Sequence, residues 1–336
     1  MKLVVQIPCF NEQETLPSVL AEIPRSIPGV DTVEVLVIDD GSTDRTADVA
    51  RECGADHVIS SRRNRGLARS FRAGMDAAVR MGADIVVNTD GDGQYPGKEI
   101  PRLIQPILDG DADIVIGDRQ TAGVAGFSWS KKLMQRIGSA AVARLSDLEI
   151  PDAVSGFRAF SRKSALDMNI VSTFSYTIET LIQAGRKHYA VKAVPIQVNT
   201  VTRPSRLFRS IPQFLAKSGA TMLRIYAMYQ PLRLYFYFGV TMMFIGSIPL
   251  IRFLFFYLAG SGEGKIQSLI AGAILIILGG LSLMFGLLAD LINFNRQLSE
   301  MSLERIRRIE SRLLATEATS EAGRPDRRRT ETEESA

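Results

Sequence analysis

Cysteine, histidine and tryptophan are scarce: two, two and one among 336 residues. Two cysteines, Cys9 and Cys53, give no disulfide framework and fit a reducing compartment. His57 and His188 stand far apart without ligand spacing, so no His/Cys zinc centre is implied. No Gly-x-Gly-x-x-Gly follows the first apolar run, which argues against a dinucleotide-dependent oxidoreductase. No Gly-x-x-x-x-Gly-Lys segment occurs either, which argues against a P-loop NTPase. The net charge of +4 is modest and implies no nucleic-acid partner. Met1 runs straight into a strand pattern, so no apolar leader is expected.

Charge itself is missing from residues 234–251 and 266–289. At ~1.5 Å per residue the second run spans ~36 Å, enough for a hydrocarbon core of ~30 Å. These runs predict a membrane hairpin, with spans at about 233–259 and 266–292 inside residues 233–295. The first span is expected to double as the targeting element. Arg203, Arg206, Arg209, Lys217, Arg224 and Arg233 precede it, and Arg296, Arg305, Arg307 and Arg308 follow the second. The intervening loop sets Lys265 against Glu263. The positive-inside rule then puts both ends in the cytoplasm. Residues 203–232 mix large apolar and basic residues, as an interfacial amphipathic segment would; a helix packed on the catalytic domain is the alternative. Residues 296–336 form a cytoplasmic tail, and from residue 315 it has too little apolar content to order itself. Two short spans leave apolar surface on which a second copy can pair.

Residues 1–202 read as one catalytic domain. Short Val- and Ile-rich runs at 3–7, 33–38, 57–60, 85–89 and 114–117 alternate with amphipathic stretches at 14–23, 43–53, 67–81 and 99–108. That alternation predicts an α/β fold with a mostly parallel sheet covered by helices on both faces. Residues 190–201 read as a late strand, pairing antiparallel at the far side. Ligands of such sheets bind beyond the strands' carboxyl ends. The polar motifs fall there.

The run 85–89 ends in Asp90-Gly91-Asp92, with Gln94 following. Two carboxylates so spaced can hold a divalent cation against a diphosphate. Asp90, Asp92 and Gln94 offer hard oxygen ligands, suited to Mg²⁺ or Mn²⁺ rather than zinc. Asp39-Asp40-Gly41-Ser42-Thr43-Asp44 ends the second run. Gly41 permits a sharp bend, Ser42 or Thr43 can cap the next helix, and one aspartate is left for a base or ribose. The plainer reading is that both aspartates only cap and solvate the turn. Pro8, Asn11 and Glu12 sit where the first run meets its helix, with Phe10 between. In the basic loop Arg62, Arg63, Arg65, Gly66 the glycine lets backbone amides approach a phosphate at a helix start. Arg119 can bind phosphate or pair with Asp118, and Arg158 suits bidentate phosphate contact or a structural salt bridge. Glu179 faces either the site or solvent.

In order, these motifs resemble family 2 glycosyltransferases of the polyprenyl-phosphate type, the dolichyl-phosphate mannose synthase group. The resemblance covers residues 3–206, and a hairpin agrees with the bacterial two-span branch. It implies a GT-A nucleotide-diphospho-sugar transferase fold and an inverting enzyme using Mg²⁺ or Mn²⁺. One sugar would pass from a nucleotide-diphosphate sugar to undecaprenyl or dolichyl phosphate at the cytoplasmic face of the cell (inner) membrane. It implies that Pro8, Asn11 and Glu12 line the base and ribose pocket and that residues 39–44 bind the nucleotide. It also implies that Gly66 belongs to the phosphate loop, that Asp90 faces the nucleotide, and that Asp92 and Gln94 reach the metal. Asp152-Ala153-Val154-Ser155-Gly156-Phe157-Arg158 resembles the stretch that closes the reaction centre, with Arg158 toward phosphate. Arg203 and Arg206 stand where relatives hold phosphates, though the local pattern departs from theirs. A lipid monophosphate has a second pKa near ~6 and already offers an ionised oxygen, so Asp152 is an orienting group rather than a required base. A processive polysaccharide synthase is the alternative, but its Gln-x-x-Arg-Trp signature is missing and Trp129 stands elsewhere. A noncatalytic nucleotide-sugar-binding scaffold is a further alternative, against which the intact Asp90, Asp92 and Gln94 speak.

Overall fold

The computed structural model describes residues 1–120, 148, 150–170, 176–199, 227, 230–260 and 266–322. The chain divides into two compact units, Met1–Pro204 with Glu304–Ala336, and Ser205–Leu303.

In the first unit the apolar runs become β1 (Lys2–Cys9), β2 (Thr32–Asp39), β3 (His57–Ser60), β4 (Ile85–Asn88) and β5 (Ile114–Asp118). The amphipathic stretches become α1 (Leu16–Glu22), α2 (Thr46–Glu52), α3 (Leu67–Arg80) and α4 (Ile100–Leu108). Then follow β6 (Arg158–Ser161), α5 (Arg162–Asp167), α6 (Tyr176–Arg186) and β7 (Val191–Pro195). The sheet order is β3-β2-β1-β4-β6-β5-β7. Odd residues of β1 (Leu3, Val5, Ile7) pack with α1 and α4, while Val4, Leu36 and Val86 pack with α3 on the other face. Both faces are therefore covered, as a two-sided apolar strand pattern requires.

One expectation about the sheet needs correction. The late strand β7 pairs parallel with β5, in register Ile114↔Val191. The antiparallel strand is instead β6, between β4 and β5. An antiparallel strand set between parallel ones starts at the edge where its neighbours end. It thus delivers Arg158, paired with Asn88, and the loop before it to the sheet's carboxyl edge. The order of β2, β1 and β4 also makes the gap between β1 and β4 a topological switch point, where a ligand crevice opens.

The second unit contains α7 (Pro231–Leu258) and the start of α8 (Ile266–Ala322). Both helices are long and apolar enough to cross a membrane. Large side chains such as Phe244, Phe255, Leu258 and Ile292 are more than 60% exposed, a surface suited to hydrocarbon rather than water. Between the helices glycines recur every seven residues: Gly239 and Gly246 on α7, Gly272, Gly279 and Gly286 on α8. A Cβ on Gly239 would stand 2.8 Å from the Gly279 carbonyl oxygen, and one on Gly246 2.9 Å from that of Gly272. Such contacts are possible only without side chains, and close backbone approach supplies the packing that apolar burial cannot in lipid. Gly280 meets nothing within 4 Å. Gly279→Leu should therefore reduce properly folded, detergent-extractable protein severalfold, and Gly280→Leu should leave it unchanged. Equal yields on size-exclusion chromatography would refute this packing.

The tail expectation also shifts. Helix α8 continues through Ala322, past the predicted onset of disorder at residue 315, and residues 323–336 lie outside the described part. Within the first unit Arg307 donates to the Met168 carbonyl at 2.9 Å and pairs with Asp76 at 3.2 Å, and Arg80 pairs with Glu310 at 3.2 Å. These contacts give the post-span helix a surface on α3 and α5.

Candidate active site

The first two loops are held together by hydrogen bonds. Asn11 has φ +54, a left-handed backbone that asparagine tolerates better than most residues. Its main-chain N–H donates to Ser42 Oγ at 2.9 Å, and its side-chain oxygen accepts from Thr43 N at 2.8 Å. Glu12 N donates to Thr46 Oγ1 at 2.9 Å. Pro8 lies inside β1, opposite Ile38. Asp44, not Ser42 or Thr43, serves the start of α2, accepting from Thr46 N at 3.0 Å.

The aspartate pair divides its labour. Asp40 accepts from Arg65 N at 2.9 Å and Gly66 N at 2.8 Å, so both its oxygens hold the basic loop. Those two amides, assigned to a phosphate by the sequence reading, face Asp40 instead. Asp39 accepts from Ser42 N through Oδ1 alone. Among the described residues it is thus the member of the pair with an oxygen to spare. Gly41 has φ +71, and a Cβ there would lie 2.4 Å from the Arg63 carbonyl carbon. Only glycine makes this turn under the basic loop.

At the end of β4 the triplet turns across the sheet edge. A Cβ on Gly91 would meet Cys9 Sγ at 2.7 Å, so the turn rests directly on β1. Burial, then the charges of Glu12, Asp39 and Asp90, push the Cys9 thiol well up and keep it unreactive. Asp90 packs on the next loop: a Cβ on Gly156 would lie 2.9 Å from Asp90 Oδ2 and from Tyr176 Oη. Desolvation first, then the charge of Asp92, pushes the Asp90 carboxyl up to about 7, against the pull of Arg119 and Arg158. A carboxyl held there has too little positive charge around it. Asp92 is exposed, with Oδ1 accepting from Gln94 N at 3.0 Å.

These residues fit a hard divalent cation. Among the described residues no three His, Cys, Asp or Glu side chains converge. Asp90, Asp92 and Gln94 would therefore hold an ion incompletely, leaving positions for substrate oxygens, which is how Mg²⁺ usually meets phosphates.

The two arginines behave differently from expectation. Arg119 pairs not with Asp118 but bidentately with the buried Asp152, Nε to Oδ2 at 2.7 Å and Nη2 to Oδ1 at 3.0 Å. Arg158 is fully buried. Its Nε donates to the Ser155 carbonyl, Nη2 to that of Ala153, and Nη1 to the Thr177 carbonyl and Thr180 Oγ1, at 2.5–2.9 Å. Four bonds to the protein leave no fork for phosphate, so the expected phosphate contact is withdrawn. The side chain clamps loop 152–157 to α6. Desolvation lowers its pKa to about 10, and it stays charged at neutral pH. Glu179 is buried, which removes its solvent-facing reading.

Several positioning residues escaped the sequence reading. Gln6 Nε2 donates to Asn88 Oδ1 at 3.0 Å, and Asn88 Nδ2 donates to the Gly156 carbonyl at 2.8 Å and to Tyr176 Oη at 3.0 Å. Asn199 donates through its main chain to the Gln94 carbonyl and through Nδ2 to the Gly93 carbonyl, both at 3.0 Å. A buried amide inside an apolar strand was the available signal for Gln6 and Asn88. Arg203, Arg206 and Trp129 lie outside the described residues.

A mostly parallel sheet with acidic turns gathered at the crevice beside β1 and β4 defines a sugar-transferring enzyme of GT-A fold. The chain belongs to glycosyl transferase family 2, whose family model matches residues 4–168. Polyprenol monophosphomannose synthase of Mycolicibacterium smegmatis is 30% identical over 206 residues, 58% of this chain and 76% of that one. Dolichyl-phosphate hexose transferase of Haloferax volcanii is 33% identical over 200 residues, 58% and 81% respectively. Among solved structures, glucosyl-3-phosphoglycerate synthase from Mycobacterium tuberculosis with phosphoglyceric acid superposes with a TM-score of 0.51 at 25% identity, covering 66% of this chain and 79% of that chain. The same enzyme with Mn²⁺, UDP-glucose and phosphoglyceric acid gives 0.52 at 24% identity, over 67% and 79%, and shares the fold.

Proposed function

We propose that this glycosyltransferase is a membrane-anchored, inverting enzyme. It moves one sugar from a nucleotide-diphosphate sugar to a polyprenyl phosphate at the cytoplasmic leaflet. One observation carries the reading: Asp90 and Asp92 stand at the end of β4, with Arg119, held by Asp152, acting on the Asp90 carboxyl. The names of the two relatives support a polyprenyl-phosphate acceptor. The two apolar helices support an enzyme that works where an isoprenoid tail stays buried, since drawing it into water is costly.

Asp39, Asn11, Glu12 and Pro8 border the nucleotide in this reading, with Asp40, Gly41, Ser42 and Gly66 fixing their loops. Mg²⁺ or Mn²⁺, held by Asp90, Asp92 and Gln94, would neutralise the diphosphate as the sugar leaves. Asp152 orients Arg119, whose guanidinium adds positive charge beside the same crevice. The acceptor phosphate needs no general base, so the residues position the reactants and exclude water. Arg203 and Arg206 are proposed for the acceptor phosphate.

The test is incubation of membranes carrying the full chain with a panel of labelled nucleotide sugars and undecaprenyl phosphate. Label from one donor should enter the organic phase. If no donor labels lipid while the protein is folded, the reading fails. A reporter inserted at residues 261–264 should be extracytoplasmic, and a cytoplasmic signal would reverse the topology.

A further inference from the structure

We infer that α3 carries, on its outer face, a second anion site that takes a phosphate-bearing group and is separate from the sugar-transfer centre. A cavity of about 410 Å³ there is lined by Ser61, Arg63, Arg65, Arg69, Arg72 and Asp76, among others. Arg69, Arg72 and Asp76 follow helical spacing on α3 and form one stripe, with Arg63 and Arg65 on the loop just before the helix. Like charges at that spacing repel one another. A stripe of this kind calls for a counter-charge.

The protein supplies little of it. Asp76 is engaged by Arg307 at 3.2 Å and reaches Arg72 Nε only at 3.8 Å. Among the described residues no carboxylate pairs with Arg63, Arg65 or Arg69. The net result is a concave, positive surface with a serine hydroxyl at its edge. Guanidinium forks match phosphate oxygens in shape and charge. The volume falls within the range of small-ligand pockets.

The site is not the donor crevice. Helix α3 starts beyond the carboxyl end of β3 and runs toward the start of β4. From Arg69 to Asp76 the stripe extends ~10 Å along the helix at ~1.5 Å per residue, away from the edge where Asp90 stands. Ser61, Arg63 and Arg65 of its lining lie on the loop whose Arg65 and Gly66 amides Asp40 holds, while Arg69, Arg72 and Asp76 lie further along α3.

Two sources can supply such a phosphate, an acidic lipid headgroup or a soluble polyphosphate, and two arms separate them. The full chain in phosphatidylcholine nanodiscs is titrated with inorganic pyrophosphate by calorimetry. The same chain in discs containing phosphatidylglycerol is analysed by native mass spectrometry for retained lipid. The variant is the double Arg69→Gln, Arg72→Gln, whose side chains are exposed. Wild type should bind in at least one arm, and the variant should bind about tenfold more weakly there. Saturating nucleoside diphosphate should leave that binding in place, and the donor KM in neutral discs should stay within about twofold, far below the tenfold change in the anion. The inference is overturned if wild type and variant behave alike in both arms. Displacement of the anion by nucleoside diphosphate would also overturn it, since the binding would then belong to the donor crevice.

Discussion

Asp92→Asn should lower sugar transfer by about a thousandfold, the scale of losing one electrostatic stabiliser of a developing charge. Asp92 is exposed and, among the described residues, accepts only from Gln94 N, so melting temperature should hardly move. Turnover measured over a range of Mn²⁺ and Mg²⁺, beside a thermal melt, separates the two effects. Near-normal rates in a folded sample would remove the metal role. Asp90→Asn should also abolish transfer, but with an opposite signature in stability. The folded carboxyl sits at about 7, far above the ~3.9 of an unfolded aspartate. Its contribution is complete at pH below the unfolded value and is lost as pH rises through 7. In chelator, ionised Asp90 therefore weakens the fold at pH 8. Asparagine should raise stability there by on the order of 1–2 kcal/mol, discounted because Asp90 is partly open to the crevice, and by much less at pH 5. A variant destabilised equally at both pH values would show that Asp90 is structural.

Arg158→Met should cost about 3–5 kcal/mol, because it strips buried carbonyls of Ala153, Ser155 and Thr177 of their donors. For a unit of this size that is a fall of roughly 10 °C in melting temperature. Activity should fall with stability, since the clamp sets loop 152–157, which carries Asp152 to Arg119 and Gly156 to Asp90. Arg158→Lys should recover only part of the loss, as one ammonium cannot reach all four acceptors. A phosphate-binding arginine would behave otherwise, raising the donor KM with no change in melting. That result would restore the role withdrawn above.

The parts of the architecture visible in the sequence are those where composition and period agree. Residues 85–89 are apolar, β-branched and followed at once by Asp90-Gly91-Asp92, so strand, turn and chemistry can be read together. Strand β6 could not be read this way. It is four residues long, begins with a buried arginine, and is defined by pairing with β4 and β5 rather than by its own pattern. The division between Asp39 and Asp40 was hidden for a related reason. Two adjacent aspartates at a strand end look alike until the loop at Arg65 and Gly66, about 25 residues on, is seen to claim one of them. Arg158 illustrates the converse hazard: a cation in a motif suggests an anion, yet main-chain carbonyls can satisfy it. The seven-residue glycine spacing of α7 and α8 was present in the sequence all along, but apolar length alone drew the hairpin reading.

The unequal standing of the two thiols has a practical side. Cys9 is sealed beneath Gly91, whereas Cys53 is exposed just beyond α2. A maleimide fluorophore should thus attach at a single surface point of the unaltered chain, at the end of α2 remote from Asp44. Dye so placed would report, by energy transfer to labelled lipid, how high that corner of the enzyme rides above a bilayer.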